Sequence, residues 1–280
     1  MVTQSGSAEV PSSPVIPADI DVSTPHPARR YDYWLGGSDN FEADRASAET
    51  VAEGFPSVQI ACLENRAFLR RAVGHLAGVA GIRQFLDLGS GLPTAGNVHE
   101  IAQTIAPESH IVYADNDPIV TAHARGLLSR APAGTVAYIQ ADVRDPDAIL
   151  THPHVLSTLD MSRPVALMLV AVLHFVTDAD RPYELVSRLV DALPPGSYLV
   201  MSHVTDDHMS EEDRDDIENA NERSGIPFRM RSSDEFARFF TGLELIEPGI
   251  TSIINWPTPS QRAHPRPEAV AVLGAVARKP

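Results

Sequence analysis

Phe85-Leu86-Asp87-Leu88-Gly89-Ser90-Gly91-Leu92-Pro93 decides the fold of this chain. Gln84 to Leu88 reads as a short buried strand. It feeds a glycine turn, where only glycine lets a ligand press against the main chain. A dinucleotide fingerprint wants a third glycine three positions after the second, but Thr94 stands there and Gly96 comes later. The turn therefore lacks the dinucleotide pattern. The acid ahead of the glycines, Asp87, instead suits a ligand with a positive amino group and no phosphate.

Downstream, helices and strands alternate. Helices are expected at Asn97 to Ala106, Ile119 to Ser129, around Pro146 to Leu150, and at Arg181 to Leu193. Strands are expected at Ile111 to Ala114, Val136 to Gln140, Val165 to Val172 and Tyr198 to His203. Continuous apolar strands of this kind are buried on both faces, as in a parallel sheet covered by helices. An acidic helix at Asp206 to Asn221 follows, then a helix at Asp234 to Phe240 capped by Ser232 or Ser233. Leu243 to Ile250 and Ala269 to Ala277 are β-prone and joined by a Pro-rich stretch, which predicts an antiparallel closing pair. The fold class is α/β: a Rossmann-like, seven-stranded, mostly parallel sheet with an antiparallel C-terminal strand and helices on both faces.

Further acids mark the same sheet edge, where open α/β sheets bind ligands. Asp115 and Asn116 end the second strand, and Asp115 can accept both hydroxyls of a ribose. Asp117 precedes Pro118 and reads as a helix cap. Asp142 and Val143 follow the third strand, where a carboxylate and a backbone N–H can take an adenine edge. With Asp87, Gly89, Ser90 and Gly91, this set matches S-adenosylmethionine, which carries an ammonium, a sulfonium, a ribose and an adenine.

The chain divides into a Ser/Pro-rich flexible tail (1–27), an N-terminal helical cap (28–80) and a cofactor-binding domain (81–280). Helices are expected at Phe41 to Glu53 and Asn65 to Ala80. The 22 basic and 37 acidic residues leave a net charge of −15, and no basic cluster is large enough to hold a nucleic acid. One cysteine, Cys62, reads as a small buried side chain, excludes an internal disulfide and suits a reducing cytoplasm. No run approaches the length of a membrane span, and no leader pattern is seen. A homodimer is compatible with this surface. His152-Pro153-His154 lacks a third ligand at metal spacing and reads as a loop, so no metal is expected.

Arg30-Tyr31-Asp32-Tyr33-Trp34-Leu35-Gly36-Gly37, Asp39-Asn40-Phe41, Asp44-Arg45, Asn65-Arg66-Ala67-Phe68-Leu69, Gly91-Leu92-Pro93-Thr94 and Asp115-Asn116-Asp117-Pro118 carry a resemblance from Arg29 to the C-terminus. The chain resembles the seven-stranded S-adenosylmethionine-dependent methyltransferases. More narrowly, it resembles an actinobacterial S-adenosyl methyltransferase family first catalogued as a domain of unknown function. The resemblance implies this fold and cofactor and supplies no acceptor. N-terminal helices of methyltransferases cover the cofactor cleft, so Tyr31, Tyr33, Trp34 and Asn40 are expected to line or close it, with Gly36-Gly37 as hinge. Asn40 and Asp44 are equally readable as helix caps. His174, expected at the end of the fourth strand, is the first candidate general base and His203 the second. The expected activity is methyl transfer to a small molecule. A non-catalytic S-adenosylmethionine-binding regulatory module and an NAD-dependent oxidoreductase are the alternatives.

Overall fold

The computed structural model describes residues 20–128, 135–207, 209–256 and 265–280. Residues 1–19 of the expected tail, Ser129 of an expected helix and part of the Pro-rich connection lie outside the described residues. α1 (Pro27–Trp34) carries Pro27 in its first turn, and the His26 imidazole caps it by accepting from the Ala28 N–H at 3.2 Å. α2 (Glu42–Gly54) starts where Asp44 Oδ2 accepts from the Phe41 N–H at 2.9 Å. α3 (Val58–Gly78) begins well before Asn65. Its first turns hid in the sequence because Ile60 and Leu63 are exposed while Val58, Ala61 and Cys62 are buried, so apolar residues point both ways.

The alternation then runs β1 (Gln84–Leu88), α4 (Val98–Ile105), β2 (His110–Asp115), α5 (Pro118–Leu128), β3 (Val136–Gln140), α6 (Pro146–Leu150), α7 (Pro153–Thr158), β4 (Ala166–Val170) and α8 (Pro182–Asp191). It closes with β5 (Tyr198–Val204), α9 (Glu211–Arg223), α10 (Ser233–Ala237), β6 (Glu244–Leu245), β7 (Thr251–Ser252), α11 (Pro267–Val270) and β8 (Val272–Arg278). The expected loop at His152 to His154 instead opens α7: Pro153 leads the helix and His152 Nδ1 accepts from the His154 N–H. Ser232 caps α10. Among the described residues no helix is long and apolar enough to cross a membrane.

The sheet order is β3-β2-β1-β4-β5-β8-β6, parallel from β3 to β5, with β8 antiparallel to β5. β6 and β7 both pair with β8, at Ala277 and Arg278 and at Leu273 and Gly274. Of the expected strand Leu243 to Ile250 only Glu244–Leu245 pairs as strand; the chain leaves the ladder before Pro248, which has no N–H to give it, and β7 follows beyond Ile250. The antiparallel β8 separates this sheet from an all-parallel dinucleotide domain.

Each buried strand sorts its residues by period two. Phe85, Ile111, Met168 and Val200 meet Phe68 and Leu76 of α3 on one face. Leu86, Val112, Leu167 and Leu199 meet Leu185 and Leu189 of α8 and Phe236 of α10 on the other. Most of α3 therefore belongs to the covering layer of the sheet, and the cap proper is α1, α2 and the start of α3, joined through Trp34, Ala48, Val51, Val58 and Cys62. The acidic α9 is solvated on one side only, since Ile217, Ala220 and Asn221 are buried.

A buried ion cluster fastens the cap to the sheet edge. Arg29 Nε donates to Asp117 Oδ2 at 2.9 Å, and its Nη1 lies 3.5 Å from Asp44 Oδ2. Asp44 also accepts from the His26 N–H, and Asp117 Oδ1 accepts from the Ile119 N–H at the start of α5. All three side chains are buried. Deleting one partner strands the other charge, so Asp117→Ala should cost about 3–5 kcal/mol in denaturant unfolding. Asp117→Asn should cost less, because it keeps an oxygen for Ile119. A loss under about 1 kcal/mol for Asp117→Ala would show that the cluster does not hold the cap.

Candidate functional site

The carboxyl ends of the first four strands face the cap across a cleft of about 280 Å³. At its floor the Gly89 and Ser90 N–H groups both donate to the Ala114 carbonyl, at 2.8 and 3.2 Å, tying the turn to β2. Gly89 has φ +70°, and a Cβ there would stand 2.4 Å from Val172 Cγ2. No other residue fits that position. Gly91 donates its N–H to Asp115 Oδ2 at 2.8 Å, and the Asp117 N–H donates to Asp115 Oδ1 at 3.0 Å. A carboxylate has about four acceptor positions, so Asp115 keeps capacity for a ligand in the cleft it lines. Burial raises its pKa.

Asp87 lines the same cleft and is 5% exposed. Burial pushes its pKa up to about 7, Asp115 pushes in the same direction, and Arg66 opposes them. Among the described residues no donor hydrogen-bonds its carboxylate. The hydroxyls of Ser90 and Thr94, both lining the cleft, are likewise buried without partners. Asn116 bridges His26 Nε2 at 3.2 Å and Asp142 Oδ2 at 3.4 Å. Asp142 is less free than expected: the Arg144 N–H and Nε both donate to its Oδ1 at 2.9 Å. Burial alone would raise the Asp142 pKa, but these bonds hold it below the usual carboxylate range. Val143 lines the cleft beside it.

The expected cap residues separate. Tyr31 lines the cleft; its hydroxyl donates to the Cys62 carbonyl and accepts from Asn65 Nδ2, both at 3.0 Å. Asn65 Oδ1 accepts from Ser202 Oγ at 2.6 Å, and Ser202 Oγ accepts from the Ala171 N–H at 3.0 Å. This chain of bonds runs from cap to sheet along a wall shared with a second, smaller chamber of about 70 Å³. Trp34 and His174 line that chamber. Tyr33 and Asn40 line neither cavity. Tyr33 bonds the exposed Glu49, two residues from Tyr31 and so turned to the other side of α1. Asn40 Nδ2 donates to Asp32 Oδ2 and the Gly37 carbonyl. A Cβ on Gly37 would sit 2.0 Å from Asp32 Oδ1, so that position accepts only glycine and the turn closes around that carboxylate. Asp44 is a cap and an ion-pair partner rather than a cleft residue.

His174 is not on β4, which ends at Val170; Ala171 turns the chain with φ +58°, and His174 falls in the one-turn helix Leu173–Phe175. Such a φ on alanine is uncommon and concentrates at functional sites. Burial drives the His174 pKa well below its usual value, and His203, Arg30 and Arg231 push the same way. His203 is committed elsewhere: Nδ1 lies 2.7 Å from the Val204 carbonyl and Nε2 2.9 Å from Arg231 Nη1. Burial takes its pKa down to about 3. Arg231, fully buried, also donates to the Leu173 and Val176 carbonyls, which fixes the His174 turn. Sequence reasoning gave no role to His26, Asn65, Arg66 or Phe175, all of which line the cleft. A polar Asn65-Arg66 pair in an otherwise apolar helix face was the available signal.

Both histidines are neutral when folded and regain ordinary basicity when unfolded. Their contribution is complete above about pH 6.5 and is lost as pH falls below that value. Each adds a slope of about 1.4 kcal/mol per pH unit to the acid limb of stability. His203→Gln should flatten that limb by about this amount between pH 6 and 4.5, measured by denaturant unfolding. An unchanged slope would mean that His203 is protonated in the folded protein.

The sequence profile of the S-adenosyl methyltransferase family matches residues 14–280. A crystal structure of a DUF574 family protein from Streptomyces avermitilis is 45% identical, with a TM-score of 0.88, covering 93% of this chain and 99% of that one. A candidate methyltransferase from Thermobifida fusca is 41% identical, with a TM-score of 0.87, covering 95% and 99%. The comparison with curated proteins finds no match.

Proposed function

Since the chain belongs to the S-adenosyl methyltransferase family, we propose that it moves a methyl group from S-adenosylmethionine to a small-molecule acceptor under the cap. The observation that carries this reading is Asp87, a buried carboxylate facing the cleft with no donor of its own among the described residues. A cationic ligand group relieves that burial. The rest of the donor set fits the same cofactor. Asp87 would hold the ammonium and Arg66 the carboxylate of the methionine part, with the unpartnered Ser90 and Thr94 hydroxyls beside them. Asp115 would take the ribose hydroxyls, and Val143 with Asp142 would border the adenine.

When bound, the cofactor would supply the acceptor with an electrophilic methyl group on a sulfonium, with Asp87, Arg66 and Asp115 the residues that would hold the cofactor. The protein aligns the two partners and excludes water. Tyr31 and Asn65, locked by their bond chain, hold the wall at which acceptor and methyl group would meet. His174 is uncharged and weakly basic, which suits hydrogen bonding to the acceptor better than removing a proton from a weak acid. The chain's net charge of −15 disfavours polyanionic acceptors.

The ionised Asp87 is the form that binds a cation, and its free pKa is near 7. Affinity for S-adenosylhomocysteine, measured by calorimetry, should therefore weaken about tenfold per pH unit below pH 6.5 and level off above pH 7.5. Asp87→Asn should bind at least tenfold more weakly and lose this pH dependence. Equal affinity at pH 5.5 and 7.5 in the native protein would remove Asp87 from the ammonium role.

A further inference from the structure

The cleft follows the carboxyl ends of β3, β2, β1 and β4, from Asp142 to Ala171. The smaller chamber continues the same line past β4, to Val204 of β5 and Val272 of β8. The two cavities share Pro27, Tyr31, Asn65, Ala171 and Phe175. The chamber therefore lies at the end of the cleft opposite Asp142, across the wall that Tyr31 and Asn65 hold. Val51, Phe55, Val58, Ala61 and Phe228 also line it.

What the chamber offers a ligand is almost wholly hydrocarbon, because its polar neighbours are spent within the protein or sealed in the walls. The Tyr31 hydroxyl is bonded to the Cys62 carbonyl and to Asn65, and Asn65 to Ser202. Arg30 Nη1 donates to Ser224 Oγ and Ser47 Oγ, and Asn221 Nδ2 to the Ile217 carbonyl. Arg30 Nε, Trp34 Nε1, His174 Nδ1 and Asn221 Oδ1 are buried out of reach of the void. A buried water needs about two to four polar partners, which this void does not present. A charged group would lose its hydration there without replacement. An apolar group instead restores the dispersion contacts that the walls lack. The volume, about 70 Å³, sets the size of that group. A dry apolar cavity of about 150 Å³ holds a benzene ring, so roughly three carbons fit here and a six-membered ring does not.

We propose that the methyl acceptor lodges an uncharged alkyl end of about three carbons, the size of an isopropyl group, in this chamber and leaves its nucleophilic atom in the cleft. Tyr31 and Phe175, shared by both cavities, stand where the alkyl end joins the rest of the molecule. Phe228 lines the chamber but not the cleft, and its ring packs 6.0 Å from that of Phe175 and 5.4 Å from that of His174. It is half-buried and sets the size limit. The proposal rests on the methyltransferase reading, because that reading makes the cleft the source of the methyl group.

Of the two tryptophans, Trp34 lines the chamber and Trp256 lines neither cavity, so their indole N–H signals report entry and its specificity together. The test is heteronuclear NMR on the isotope-labelled full chain saturated with S-adenosylhomocysteine, the two signals being assigned with Trp34→Phe. Ethanol, propan-1-ol, 2-methylpropan-1-ol and cyclohexylmethanol are titrated, with 3-aminopropan-1-ol and 3-hydroxypropanoate as charged-ended counterparts. Affinity read from the Trp34 signal should rise about fourfold for each carbon added from ethanol to 2-methylpropan-1-ol, while the Trp256 signal stays still. Cyclohexylmethanol and both charged-ended probes should bind more weakly than 2-methylpropan-1-ol by about tenfold or more. Phe228→Ala should reverse the order of 2-methylpropan-1-ol and cyclohexylmethanol, with S-adenosylhomocysteine affinity within about threefold of native. Several results would overturn the subsite and leave the cofactor reading standing, given normal S-adenosylhomocysteine binding. They are a Trp34 signal unmoved by the alcohols, charged-ended probes binding as tightly as 2-methylpropan-1-ol, cyclohexylmethanol preferred by the native chain, or an unchanged order in Phe228→Ala. Failure of S-adenosylhomocysteine itself to bind would overturn the cofactor reading and the subsite with it.

Discussion

The buried contact of Arg29 with Asp117 and Asp44 is the constraint on which the site depends. It joins a residue of the first helix to one at the start of the helix after β2, 88 positions away. Asp117 donates its backbone N–H to Asp115, so the ion pair that seats the cap also sets the carboxylate at the cleft floor. His26, one turn before Arg29 and Arg30, lies against Asn116 on the same edge. Three charges taken out of water recover their desolvation only when each is paired and hydrogen-bonded. Here Asp117 spends its second oxygen on the Ile119 N–H and Asp44 its second on the His26 N–H, each at the start of a helix.

That seating produces two unlike cavities side by side. The larger is lined by carboxylates, hydroxyls and the glycine turn, and suits a zwitterionic nucleoside. The smaller is apolar with a few unpartnered polar atoms. The bond chain from Cys62 through Tyr31, Asn65 and Ser202 to Ala171 stiffens the partition between them. Ala171 contributes a left-handed kink that swings the chain off β4 and brings His174 into the smaller chamber rather than the larger.

Much of the larger cavity was legible in the sequence because its signals are local. A buried strand ending in acid and glycines fixes the edge on which Asp87, Asp115 and Asp142 stand, and strand periodicity fixes their common direction. The smaller chamber was not legible. Arg30, Asn221 and Phe228 meet only after distant segments fold together, and no spacing rule links them. Tyr33 was grouped with Tyr31 and Trp34 because the three are neighbours in sequence. On a helix, residues three apart share a face and residues two apart do not, so Tyr33 turns out toward Glu49. Asn40 reads in the sequence as either a cleft residue or a helix cap, and Gly36-Gly37 as a hinge. Their role is set by Asp32, whose buried carboxylate organises the turn.

The most direct test of the account is calorimetric titration of the full chain with S-adenosylmethionine, S-adenosylhomocysteine and NAD at pH 7.5. Micromolar binding of the two sulfur compounds at one site per chain, with no heat from NAD, is the predicted result. Binding of NAD, or no binding of either sulfur compound, would contradict the assignment of the cleft.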